Sequence, residues 1–196
     1  MKLKFECIQC GHSLSDLVFQ DCQDYYLQKP YHATYVRCAS CGLLQQSPIP
    51  PDVGVFYEAY PIHQQKSFIH RVMRKWVMGA CYFDTSKFLA PKKALTLLLD
   101  FGCGDGWFLD ASRNPKLKLI GFEAEKSHAA HLSSVLGLPI YSDEKELLRD
   151  YEGKIDVVTM HFVLEHLTDL NKAFGVGQKL LKLNGLFYFI IPNIAS

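Results

Sequence analysis

The chain has 196 residues, with 21 lysine and arginine against 20 aspartate and glutamate for a net charge of +1, and 48% of it is hydrophobic. That composition describes a folded globular protein of one domain, or one domain plus a small annex, and excludes disorder, a collagen-like fibre and a small disulfide scaffold. The near-neutral balance also argues against affinity built on coating nucleic acid phosphates.

Neither of the longest apolar runs, Leu95 to Leu99 and Leu186 to Ile191, approaches the roughly 18 residues that read as a membrane span. The first residues, Met1-Lys2-Leu3-Lys4-Phe5-Glu6-Cys7, lack an apolar run followed by a small-residue cleavage site, so the expected location is cytoplasmic. Five of the seven cysteines lie in the first 41 residues. An odd count without an export signal points to thiolate or metal chemistry rather than to disulfides. Cys7-Ile8-Gln9-Cys10-Gly11 and Cys38-Ala39-Ser40-Cys41-Gly42 are two copies of one device. A Cys-x-x-Cys turn aims two thiolates at one tetrahedral ion, and the glycine after it permits the backbone turn. Cys7, Cys10, Cys38 and Cys41 therefore form a four-thiolate site of the zinc-ribbon type, with Zn2+ favoured over iron. Such a site has no open position, so its expected role is to fold a segment too small to build its own core. Cys22, Cys81 and Cys103 have no partner at metal spacing and read as small apolar residues.

Ser47-Pro48-Ile49-Pro50-Pro51 is a stiff spacer that closes this module at about residue 50. Residues 51–93 then read as a linker with an amphipathic helix between Gln64 and Ala80. Phe68, Ile69, Val72, Met73, Trp76 and Val77 form its apolar stripe, opposite Lys66, His70, Arg71, Arg74 and Lys75. The helix suits docking on the main domain, and peripheral contact with an anionic membrane is the other use of such a face.

From residue 94 to 196 short apolar strands alternate with helices. Strands are predicted at Leu95 to Phe101, Leu119 to Glu123, Pro139 to Tyr141, Ile155 to Met160 and Leu186 to Ile191, and helices at Lys126 to Leu136, Glu144 to Tyr151 and Asn171 to Leu183. The fold class is α/β, a Rossmann-like doubly wound sheet of five parallel strands, preceded by the small zinc-ribbon domain. The first of these strands runs into Asp100-Phe101-Gly102-Cys103-Gly104-Asp105-Gly106-Trp107. A dinucleotide fingerprint needs glycine where Trp107 stands. A carboxylate two residues before the first glycine suits a cationic ligand better than a pyrophosphate.

These residues resemble the class I S-adenosylmethionine-dependent methyltransferases. The likeness rests on Asp100 to Gly106, on Gly121-Phe122-Glu123-Ala124-Glu125, on Ile155 to Leu167 with its Leu164-Glu165-His166 element, and on Leu180 to Gly185 leading into a strand closed by Pro192-Asn193. The front half, with Cys38 to Leu43, Ser47 to Pro50 and Tyr57-Glu58-Ala59-Tyr60, looks like a zinc-binding module found ahead of methyltransferase domains that act on sugars and other small metabolites. The resemblance implies S-adenosyl-L-methionine as cofactor, S-adenosyl-L-homocysteine as product, and cofactor contacts from Asp100, Gly102, Cys103, Gly104, Gly106, Glu123, Ala124, Asp143 and His161. Glu123 stands at a strand end, where its two oxygens suit a ribose diol; the alternative is a solvated acid at a helix start. Asp143 reads equally as an adenine contact or as the N-cap of the helix that follows. His161 reads as a cofactor contact, a base toward a substrate hydroxyl, or a packed histidine. Where the quinone-pathway O-methyltransferases place an acid that completes a metal set, this chain has Phe162, so no catalytic metal is expected.

The expected function is methylation of a small-molecule acceptor such as a sugar, a nucleotide-sugar or a secondary metabolite, with structural zinc. The alternatives are an RNA methyltransferase that holds its substrate with the ribbon, and a non-catalytic cofactor-binding module. The resemblance further implies two strands beyond the fifth, so the chain is expected to be C-terminally incomplete. A homodimer covering the exposed edge strand is one way to complete the acceptor pocket.

Overall fold

The computed structural model describes residues 6–13, 16–23, 32–49 and 96–193. The expected helix between Gln64 and Ala80, Tyr57 to Tyr60 and Cys81 lie outside them. The chain divides into two compact units, each described by itself.

In the first unit β1 (Asp16–Gln23), β2 (His32–Arg37) and β3 (Leu44–Gln46) form an antiparallel sheet in chain order. The two cysteine knuckles close matching turns. Glu6 pairs with Ser13 around the first, and Arg37 with Leu44 around the second. Cys7 N donates to His12 O at 2.9 Å and Gly11 N to Cys7 O at 2.8 Å; Cys38 N to Leu43 O and Gly42 N to Cys38 O repeat the pattern at 2.8 Å each. Gly11 and Gly42 both carry the positive φ this turn needs, +69° and +77°. The buried apolar residues described here are Cys7, Ala33, Val36 and Cys38. Half of these described buried apolar residues are cysteine.

The second unit is a five-stranded parallel sheet. It comprises β4 (Thr96–Phe101), β5 (Leu117–Phe122), β6 (Ile140–Tyr141), β7 (Ile155–His161) and β8 (Leu181–Ile190), in the order β6-β5-β4-β7-β8. Between the strands lie α1 (Trp107–Ala111), α2 (Lys126–Leu136), α3 (Glu144–Tyr151) and α4 (Leu170–Leu180). β4 sits at the centre, and its Leu98 and Leu99 are fully buried on opposite faces, as a strand covered on both sides requires. Leu98, Leu119 and Val157 pack on one face against Phe108 and Leu109 of α1 and Leu132 of α2. On the other face α4 lies so close to β8 that a Cβ on Gly177 would stand 2.2 Å from the Phe187 ring. Helices thus cover both faces, as the alternating pattern predicted. No helix among the described residues is long and apolar enough to cross a membrane.

Most predicted bounds shift by one or two residues, and the largest difference lies between the last helix and the last strand. The helix predicted to run to Leu183 ends at Leu180, and the strand predicted from Leu186 begins at Leu181. Ile155 pairs with Leu181 but Val157 with Leu186, so β8 carries a bulge between them. Asn184 there takes a φ of +64°, and Leu183 is 93% exposed. The run Leu180-Leu181-Leu183 imitates a helix face, but the left-handed backbone at Asn184 turns Leu183 to solvent.

Candidate functional site

Because side chains alternate along a strand, the face of β4 and β7 that holds Leu98 and Val157 also holds Asp100, Thr159 and His161 at the carboxyl ends. Asp100 pairs across the ladders with Gly121 on one side and Thr159 on the other. Its carboxylate is buried, and Oδ1 accepts from the Thr159 hydroxyl at 2.8 Å and lies 3.1 Å from His161 Nδ1. An ionised carboxylate only accepts, so the proton of the His161 contact sits on Nδ1. The His161 side chain is 5% exposed and packs against the Phe108 ring at 4.2 Å and Tyr188 at 6.0 Å. The structure therefore sets His161 as a packed partner of Asp100 within the sheet layer.

The glycine loop follows β4. Gly102 and Cys103 both donate their amides to Phe122 O, at 2.8 and 2.9 Å, which locks the loop to the end of β5. Its three glycines differ in role. A Cβ on Gly102 would meet Val163 at 2.6 Å and one on Gly106 would meet Leu136 at 2.6 Å, so both are packing positions. Among the described residues, nothing lies within 4 Å of a Cβ built on Gly104, whose φ is +50°. Gly104 is the point where the loop opens onto free space beside the sheet. Cys103 instead turns its sulfur into the apolar core. Burial first, then the charges of Asp100 and Glu123, push its thiol far above the ordinary range.

Glu123 stands just past β5 and serves the same loop. Its Oε2 accepts from Gly104 N at 3.0 Å and its Oε1 from Glu125 N at 3.1 Å. Each oxygen retains a second lone pair for a ligand hydroxyl. Ala124 is exposed beside it. Glu125 caps α2, accepting from the Ser127 amide at 3.0 Å and the His128 amide at 2.6 Å. The Ser127 hydroxyl, then these amides, hold the Glu125 carboxyl below the usual range. Asp143 caps α3 through Oδ1, which accepts from Lys145 N at 2.7 Å and Glu146 N at 3.3 Å. That is the capping role its sequence allowed, and its Oδ2 lies outside both bonds. Glu165 and His166 sit in a separate 3-10 turn, Leu164–His166, with three residues between it and α4.

The metal candidates converge as expected. The Sγ atoms of Cys7, Cys10, Cys38 and Cys41 lie within 4.8 Å of one another, with Cys7 and Cys41 3.5 Å apart and Cys10 and Cys38 3.6 Å apart. Four sulfurs each about 2.3 Å from a tetrahedral ion stand roughly 3.8 Å from one another, so the donor set fits Zn2+. The Cys41 amide leads the interactions that draw the Cys38 thiol down to about 6. The Leu43 amide favours the Cys41 thiolate, but desolvation and the three neighbouring sulfurs outweigh it and push Cys41 up to about 12.

Sequence reasoning overlooked three residues. Gln45 of β3 is buried and ties the first knuckle to the sheet, accepting from Ile8 N at 3.0 Å and donating to Glu6 O at 3.2 Å. Thr159 and His128 carry no sequence signal beyond being a polar residue within an apolar strand and a polar residue on a helix.

A family model described as "Methyltransferase domain" matches residues 72–196, more than half of the chain. No curated protein sequence matches. Among solved structures the chain is similar to the PH0226 protein from Pyrococcus horikoshii, at 17% identity and a TM-score of 0.53 over 72% of this chain and 63% of that one. It is also similar to a SAM-dependent methyltransferase from Archaeoglobus fulgidus, at 20% identity and a TM-score of 0.48 over 66% and 61% of the two chains. A third is the YcgJ protein of Bacillus subtilis, at 23% identity and a TM-score of 0.48 over 56% and 49%. The chain thus spans about half to two thirds of the length of these structures.

Proposed function

This chain belongs to the methyltransferase-domain family, and from that premise we propose that it transfers the methyl group of S-adenosyl-L-methionine to a small-molecule acceptor, with a structural Zn2+ in the four-cysteine site. The observation that carries the reading is the joint placement of Gly104 and Glu123: a loop that opens onto free space, with its amide held by the carboxylate at the end of the next strand. Both lie at the carboxyl ends of a parallel sheet, where open α/β folds hold their ligands.

When bound, the cofactor supplies an electrophilic methyl on a sulfonium whose leaving group is neutral. The protein's task is placement, since in-line approach of the acceptor supplies much of the rate. Asp100, held on Oδ1 by Thr159 and His161, offers its negative charge to the cationic methionyl end. Glu123 accepts from the ribose hydroxyls, and Asp143 Oδ2 stands available to the adenine amino group. The packed position of His161 favours an orienting role over proton transfer to solvent or acceptor. Four sulfurs leave the metal no open position, so its part is to hold the knuckles together. Preference for a small acceptor rests on the likeness of the front module to those preceding small-metabolite methyltransferases and on the absence of strong basic character.

Calorimetric titration with S-adenosyl-L-homocysteine tests the reading. Binding by the unaltered chain and its loss in Gly104→Leu, whose side chain would fill the free space, are expected. Unchanged affinity in the variant would refute the placement.

A further inference from the structure

We infer that His128 is a positioning residue for the cofactor, holding the Gly104–Asp105 peptide group in its binding-competent orientation. The inference rests on the proposal that this loop carries S-adenosylmethionine. Gly104 is gripped from both sides. Its amide donates to Glu123 Oε2 at 3.0 Å, and its carbonyl oxygen lies 3.0 Å from His128 Nε2, a contact that requires the proton on that nitrogen. The Asp105 carboxylate stands 3.6 Å from the same nitrogen, which favours keeping the proton there. The His128 side chain is only 14% exposed, so water competes weakly for the bond.

The grip is built from one short sequence. Glu123 reaches the loop directly and also accepts from Glu125 N. Glu125 in turn fixes the His128 amide at 2.6 Å and so sets the first turn of α2, from which His128 reaches back to the loop. The two peptide groups that flank the Gly104 Cα therefore answer to Glu123-Ala124-Glu125 and the helix it caps.

This matters because Gly104, at φ +50°, has nothing beside its Cβ direction among the described residues, and glycine loses more freedom on ordering than any other residue. A ligand that needs the ordered loop binds more weakly in proportion to the fraction of chains that have it ordered.

Two variants separate the hydrogen bond from the ring. His128→Phe keeps a ring of similar bulk and loses the donor; His128→Gln keeps a donor of similar reach and loses the ring. Calorimetry with S-adenosyl-L-homocysteine on the full chain should show affinity weakened about three- to tenfold in the Phe variant, the range of a net neutral hydrogen bond, and near the unaltered value in the Gln variant. The thermal midpoint of each free protein is measured alongside, and His128→Ala replaces the Phe variant should that fail to fold. Equal affinity in the donor-less and unaltered proteins overturns the inference alone, as does a Gln variant as weak as the Phe variant. Absence of binding by the unaltered chain overturns the cofactor reading, and the inference with it.

Discussion

Replacing Thr159 by valine isolates one hydrogen bond at the centre of the sheet. The side chain is fully buried, and valine keeps its shape while removing the hydroxyl. Its oxygen lies 2.8 Å from Asp100 Oδ1 and 3.3 Å from Leu99 O. One hydroxyl carries one proton, and the shorter contact, to a charged acceptor, is the one that holds it. A hydrogen bond to a charged group is worth about 1.5–3 kcal/mol. Asp100 keeps its contact with His161 in the variant, which places the expected loss near the lower end, about 1.5–2 kcal/mol. Urea unfolding of the full chain should show the midpoint fall with an unchanged slope, and a thermal melt should shift down by roughly 3–8 °C. In an Asp100→Asn background the cost of Thr159→Val should shrink, because the charged acceptor is gone. A variant as stable as the parent, or a cost unaffected by Asp100→Asn, would show that the Thr159 hydroxyl does not serve Asp100.

Protein purified without chelator should carry about one zinc per chain, and a strong chelator should collapse amide-exchange protection in β1 to β3 while leaving β4 to β8 protected; metal-free protein with an intact first sheet would contradict this. Cys103 should resist iodoacetamide in the folded chain and react after denaturation, since its buried thiol is pushed up and thiolate is the reactive form; rapid native labelling read by mass spectrometry would refute that. Asp156 accepts from Lys182 Nζ at 2.7 Å and from Leu97 N at 2.8 Å, and although burial opposes them these partners hold its carboxyl below the usual range. Its stabilisation is therefore present above the unfolded carboxylate range near pH 4 and is lost as pH falls through the lower folded value. Asp156→Asn should cost at most about 1 kcal/mol at pH 7, with the difference from the parent fading in acid; a difference that grows in acid would reverse the sign of the argument.

Local signals made much of this protein legible. The Cys-x-x-Cys-Gly repeats specify both knuckles, because turn geometry is set within five residues. The helices Lys126–Leu136 and Glu144–Tyr151 lie where the sequence predicted them, the second behind Asp143, which the sequence offered as its N-cap. The α4–β8 junction was misjudged for the same reason that the others succeeded. Leu180, Leu181 and Leu183 repeat like a helix face, and only pairing with β7 pulls Leu181 into a strand.

What the sequence determined alone is therefore the inventory: two metal knuckles, a glycine loop after a buried strand, acids at strand ends and an alternating α/β order. The partnerships that make a site of these parts were decided by tertiary structure. Asp100 meets Thr159 and His161 across 59 and 61 residues because β4 and β7 are neighbours with matched parity. Gly102 and Gly106 look like Gly104 in sequence, yet side chains arriving from Val163 and Leu136 fill the space beside them, while no described residue fills the space beside Gly104. Strand order and register are chosen by the burial of the whole sheet, and no window of sequence contains that sum.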